Sequence, residues 1–260
     1  MRLISKCTLC ALLVLSASGL SLSAESSWAS RAFSIFKSTP ERAVTESIFE
    51  DANQLAKALR EALAVSAERA LTDLGSRGGF ADSERYRIPL PKAVESFRKP
   101  LSLVNQEGRL DAFQATMNRA AEAGVAAAPS VVKKTIQSLT LKDLNSLWKG
   151  EDDAITRFLE KNSREHLAAQ MLPLIAQATD STGATRSYKA IQSSVPESDG
   201  GLFSAVKSLT GFSASDFDLD QYVNDHALDA LFSAMAVEEK ALRENPVARS
   251  TDLLKKLFGQ

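Results

Sequence analysis

The chain has 260 residues, with 31 basic and 32 acidic side chains, a formal net charge of −1, two cysteines and two histidines. That balance lacks the electrostatic footprint of a nucleic-acid binder. The length is ample for one large domain, and no apolar run beyond the first residues is long enough to span a bilayer.

Residues 1–24 read as an export signal. Arg2 and Lys6 supply the positive start, residues 9–15 are apolar but short, and small residues lead to Ala24. Cleavage is expected near Ala24, with Ser23 and Ala29 as other cut points; the alternative is a membrane anchor formed by an uncleaved signal. Neither cysteine follows a small residue, which argues against lipidation. Both Cys7 and Cys10 lie inside the signal. The mature chain would therefore hold no thiol, which excludes disulfides, thiolate catalysis and cysteine-bound metals. The expected location is the periplasm.

Residues 25–44 are Ser-rich with scattered Trp28, Phe33 and Phe36, and read as a flexible leader. Residues 45–260 form the expected helical domain. Over residues 45–74, Leu55, Leu59, Ala62, Leu63, Ala67, Ala70, Leu71 and Leu74 recur at three- and four-residue steps and predict one buried helix face. Gly75-Ser76-Arg77-Gly78-Gly79 ends that helix. This loop follows a helix rather than a strand and lacks the Gly-Lys-Ser/Thr ending of a phosphate loop. Pro89 and Pro91 force an extended strap over residues 85–91. Its Arg85 and Arg87 are expected to pair with carboxylates of a neighbouring helix, with anion orientation as the alternative.

A helix is predicted over residues 92–104, opened by Pro91. An Ala-rich helix over 109–128 carries Asn118, Arg119 and Glu122, with Arg119 and Glu122 spaced to pair. A short helix is expected over 130–139. Thr140 to Asp143 resembles a capping box that starts another, ending near Gly150. Glu151-Asp152-Asp153 complements a helix start and Asn162 caps the next helix, bent or interrupted at Pro173. Gly183 precedes a weaker helix over 184–194. Residues 195–215 read as the longest loop, with a short helical turn over 203–209.

Asp218 and Gln221 cap a helix that runs to Glu244. Between Ala227 and Val237 only Asp229 and Ser233 are polar, so this helix is expected at the centre, enclosed by the others. Asn245-Pro246 breaks it and opens a last helix to Phe258. Glu238, Glu239, Arg243, Arg249 and Asp252 are expected to lock the last two helices together.

Motifs with chemical meaning fail on inspection. Asp216-Phe217-Asp218-Leu219-Asp220 starts like a calcium loop, but Gln221 and Ala227 stand where glycine and an acid are needed. Two Ser-x-x-Lys matches, at Ser34 and Ser204, lack the companion motifs of penicillin-recognising enzymes. His166 and His226 belong to no zinc motif. No metal and no cofactor is expected. Asp229 shares a stripe with His226 and Ser233. It is read either as a proton acceptor or, preferentially, as a carboxylate paired with an arginine such as Arg87 or Arg119.

Several segments together resemble the bacterial domain-of-unknown-function family 4197. They are Asp218-Leu219-Asp220-Gln221-Tyr222-Val223, residues 227–232, Glu238-Glu239-Lys240, residues 245–256, Arg87-Ile88-Pro89-Leu90-Pro91 and residues 117–122. The likeness spans about residues 55–259. It implies an exported helical protein of Gram-negative bacteria and no assigned activity. The chain departs from the family pattern at Lys149-Gly150-Glu151, where a double glycine is expected, and at Ala230, where glycine is expected.

The resulting expectation is a single all-α domain with a central C-terminal helix. Its role would be that of a non-enzymatic binding protein for an apolar small molecule or a cell-envelope protein partner. The alternatives are a hydrolase-type enzyme using Asp229 and His226, and a purely structural envelope protein. A ligand-binding or structural polar network is expected to draw on Arg87, Asn118, Arg119, Glu122, Asp229, Glu238 and Arg249.

Overall fold

The computed structural model describes Phe49 and residues 52–103, 105–193 and 217–259. The expected signal, the leader over residues 25–44 and the 195–215 loop lie outside the described residues. Those described belong to one compact unit, Thr45–Gln260. They form helices α1 (Ala52–Gly75), α2 (Lys92–Glu95), α3 (Arg98–Ser102), α4 (Gly108–Ala126), α5 (Pro129–Ser138), α6 (Leu144–Trp148), α7 (Ala154–Thr182), α8 (Ala184–Ser193), α9 (Leu219–Glu244) and α10 (Asp252–Phe258). A 3₁₀ turn, Pro246–Ala248, separates the last two. No strand occurs among the described residues, and the fold is all-α.

Four long helices make the core. α9 lies between α1 and α7 and also touches α4, while α4 packs on α7 and α1. Every residue of the predicted α1 face is buried. The α4–α7 approach is close because Gly124 has no side chain; a Cβ there would strike Ile175. Val223, Ala227, Leu228, Leu231 and Met235 of α9 are fully buried. The enclosure of α9 is incomplete along one stripe, where Asp225, Asp229, Val237, Lys240 and Glu244 are exposed.

Several predicted boundaries move, each for a physical reason. The 92–104 helix divides into α2 and α3, since Pro100 has no N–H to return to the Ser96 carbonyl. The expected capping box over residues 140–143 does not form. Asp143 adopts a left-handed conformation with φ of 51°, and α6 begins after it. Residues 154–182 form one helix rather than two. Asn162 donates back to the Phe158 carbonyl at 2.7 Å instead of capping a new start. Pro173 is tolerated because it and Ala169, whose carbonyl loses a partner, face solvent.

Gly183 ends α7 with φ of 82°. Asp218 caps α9 as predicted, its Oδ1 accepting from the Gln221 N–H at 3.0 Å. The last helix is shorter than expected. Pro246 opens only a 3₁₀ turn, and Thr251 caps α10 through the Leu254 N–H at 3.2 Å. Lys149 has φ of −91°, a right-handed value that demands no glycine.

Candidate functional site

Two kinds of polar arrangement must be separated before any site is visible: groups consumed by the fold and groups left facing a hollow. The first kind is led by Glu239, which is 1 % exposed. Its carboxylate accepts from the N–H groups of Ile155 (3.1 Å) and Thr156 (2.7 Å) and from Thr156 Oγ1 (2.7 Å). It therefore caps α7 from another helix, satisfying donors that the helix itself leaves open. Arg243 bonds Glu239 at 2.9 Å and donates to the carbonyls of Leu147 (2.9 Å) and Trp148 (2.8 Å). One ion pair thus closes the C-terminus of α6 and the N-terminus of α7.

Glu122 does the same for the glycine-rich loop. Its Oε1 accepts from the N–H groups of Gly78 (3.1 Å), Phe80 (3.2 Å) and Ala81 (3.0 Å). Gly78 has φ of +86°, a conformation suited to glycine. The loop is an anion nest, and the anion is the chain's own carboxylate. The predicted Arg119–Glu122 pair does not form. Glu122 turns inward, while Arg119 is exposed and donates to the Ala115 carbonyl at 3.2 Å.

Asn118 holds the strap: its Oδ1 accepts from the Ile88 N–H at 2.8 Å and its Nδ2 donates to the Ile88 carbonyl at 3.0 Å. Tyr222 donates from its hydroxyl to the Pro89 carbonyl at 3.0 Å. Burial raises the Tyr222 pKa above that of a free tyrosine, which favours this neutral donor. Glu238 pairs with Arg69 of α1 at 3.2 Å, and Arg249 donates to the Leu242 and Arg243 carbonyls at the end of α9. Of the five residues expected to lock the last two helices, Arg249 closes the end of α9 from beyond the turn, and Arg243 of α9 lies over the Phe258 ring of α10 at 5.1 Å. Asp252 bonds Lys255 within α10.

Among the concavities of the described residues, two bear on function. The first is an apolar groove of about 630 Å³ between α1 and α5, closed at one end by α4. Ala64, Ala67, Leu71, Ala126, Val132 and Ile136 line it, with Glu68 and Lys133 also present. Three of its lining residues, Ala64, Ala67 and Ala126, are alanines, whose short side chains leave room between the helices.

The second is a polar hollow of about 290 Å³ between the strap and α9, lined by Arg85, Tyr86, Arg87, His226, Asp229, Ala230 and Ser233. The sequence candidates Asp229, His226 and Arg87 do meet here. Asp229 is paired, but with Arg164 of α7 rather than with Arg87 or Arg119, and its side chain is 60 % exposed. Burial works to lower the Arg164 pKa, but the bond to Asp229 and the charges of Asp229 and Glu160 outweigh it and leave the pKa raised. His226 packs against the Tyr222 ring with centroids 4.5 Å apart. That contact ends a line of rings running from Phe113 through Tyr188, Phe217 and Tyr222. Among the described residues no hydrogen bond joins His226 to Asp229 or to Ser233, so the acid–base relay of a hydrolase is not assembled. Nor is there a group of three or more His, Cys, Asp or Glu able to hold a metal among them.

The groove went unnoticed in the sequence because alanines spaced for helix packing look the same whether a neighbour covers them or not. Arg164 was missed because it sits in the stretch read as a helix start.

The fold and these concavities define an all-α bundle protein with a groove of small-molecule size. Comparison with curated proteins and with solved structures finds no match. The chain belongs to the family described as Protein of unknown function (DUF4197), whose model matches residues 50–259.

Proposed function

We propose that this chain is an exported periplasmic protein that binds an apolar small molecule in the α1–α5 groove. The groove carries the reading. Its volume of about 630 Å³ falls in the usual range of small-molecule pockets, roughly 300–1,000 Å³. Its lining is mainly aliphatic, with one acid and one base to orient a polar end. A protein partner is less well supported, because among the described residues the exposed large apolar side chains are single ones, Leu103 just after α3, Val237 in α9 and Val247 in the 3₁₀ turn. Export rests on the charged start, the short apolar run and the small residues before Ala24.

The test is to express the full chain with its own N-terminus in a Gram-negative host and to analyse the periplasmic fraction by native mass spectrometry. The expected result is cleavage near Ala24 and a bound lipophilic mass released by organic solvent. An uncleaved, membrane-bound chain would refute the location. A chain free of any bound species, and unable to take up an apolar probe, would refute the binding role.

A further inference from the structure

We propose that the hollow between the strap and α9 is an anion site that receives a phosphoryl group. The inference concerns a different face from the groove and stands independently of it. Arg85 and Arg87 both line the hollow, and among the described residues neither has a carboxylate within ion-pair distance. Each spends one N–H inside the protein: Arg85 Nη2 on Ser233 Oγ at 3.0 Å and Arg87 Nε on the Ala81 carbonyl at 2.9 Å. A guanidinium has five N–H donors, so most of the donating capacity of both is left for a ligand. The one acid in the lining, Asp229, is held by Arg164.

The neighbouring face offers a contrast. On the neighbouring face Arg157 is paired with Glu151 and Asp153, and Lys240 with Asp152. Arg85 also borders a separate hollow of about 510 Å³ on that face, whose acids are already engaged by Arg157 and Lys240. Among the described lysines and arginines lining these two hollows, the two strap arginines are the ones without a carboxylate partner. They are also preorganised, because Asn118 and Tyr222 fix Ile88 and Pro89 beside them.

The donor set favours a tetrahedral oxyanion. One guanidinium fork matches a planar carboxylate. Two forks, the Ser233 hydroxyl and the His226 ring supply donors for more oxygens than a carboxylate has. The chemistry is shared by a free phosphate ester and by a phospholipid headgroup.

The experiment is titration calorimetry of the full chain with inorganic phosphate and with glycerol 3-phosphate. Sedimentation with phosphatidylcholine vesicles, with and without phosphatidic acid, accompanies it. Saturable phosphate binding is expected, weakened about tenfold or more in Arg85→Gln/Arg87→Gln. The Arg85→Lys/Arg87→Lys variant keeps the charge but loses the forks. It should bind more weakly than the parent, and it reports the same loss if the glutamine pair fails to fold. Binding of the esters without preference for phosphatidic acid vesicles identifies a soluble ligand; preference for those vesicles, abolished by the same substitutions, identifies a headgroup. Absence of saturable binding to every probe, or equal binding by parent and variants, would overturn the proposal.

Discussion

The α6–α7–α9 junction and the α1–α5 groove solve the same packing problem in opposite ways. At the junction, Glu239 and Arg243 extend into the gap between helix ends and satisfy the backbone groups there. At the groove, Ala64, Ala67 and Ala126 leave about 630 Å³ that no side chain fills. Long polar side chains are spent where helix termini meet, and small apolar ones are placed where a space is kept. The difference separates residues that hold the bundle from residues free to meet something else.

The largest effect should come from breaking the junction. Glu239→Ala leaves Arg243 without its partner and the α7 terminus uncapped, and should cost about 3–5 kcal/mol of stability in denaturant unfolding. A double-mutant cycle with Arg243→Ala should return a large coupling energy, and additive losses would contradict the shared cap. Glu122→Ala comes next, at about 2–3 kcal/mol, because three N–H groups of the glycine-rich loop lose their acceptor. The loop should then exchange its amide hydrogens faster than the rest of the bundle.

A smaller, pH-dependent effect is expected at Tyr222, which holds the strap, and at Tyr188 of α8. Burial raises the pKa of both Tyr188 and Tyr222. The folded chain then holds these protons more tightly than the unfolded chain. Their ionisation leaves stability unchanged below about pH 10 and lowers it as pH rises beyond that value. Ultraviolet titration should find Tyr188 and Tyr222 ionising above the free-tyrosine value. Asp229→Asn should change stability by no more than about 0.5 kcal/mol, since its bond to Arg164 is largely in solvent. A loss as large as that of Glu239→Ala would erase the distinction between the two kinds of acid.

Much of the fold was legible because its signals are local. The apolar spacing of α1, the Asp218 cap and the glycine at 183 each act within a few residues. The polar clamps were not legible, because Glu239 meets Thr156 across 83 positions of sequence. No local rule separates it from Glu238 beside it. In the sequence Asp229 suggests a buried acid because its neighbours there are apolar. It lies instead on the open stripe of α9, so the apolar neighbours face the core while it faces solvent. For the hollow, Arg85 and Arg87 stand out beside their prolines, but the carboxylates nearby, Asp229 and residues 151–153, are paired with Arg164, Arg157 and Lys240 instead.

The most direct test of the binding role is an Ala64→Phe substitution. Ala64 lines the groove from an exposed position, so a phenyl ring there occupies the space without entering the core. Stability should stay within about 0.5 kcal/mol of the parent, the difference in helix propensity. The decisive measurement is the affinity of parent and Ala64→Phe protein for a fluorescent apolar probe such as N-phenylnaphthylamine. The parent should bind with saturation and the variant at least about tenfold more weakly, the loss expected when a few kcal/mol of apolar burial is blocked. Equal binding by both would contradict the assignment of the groove.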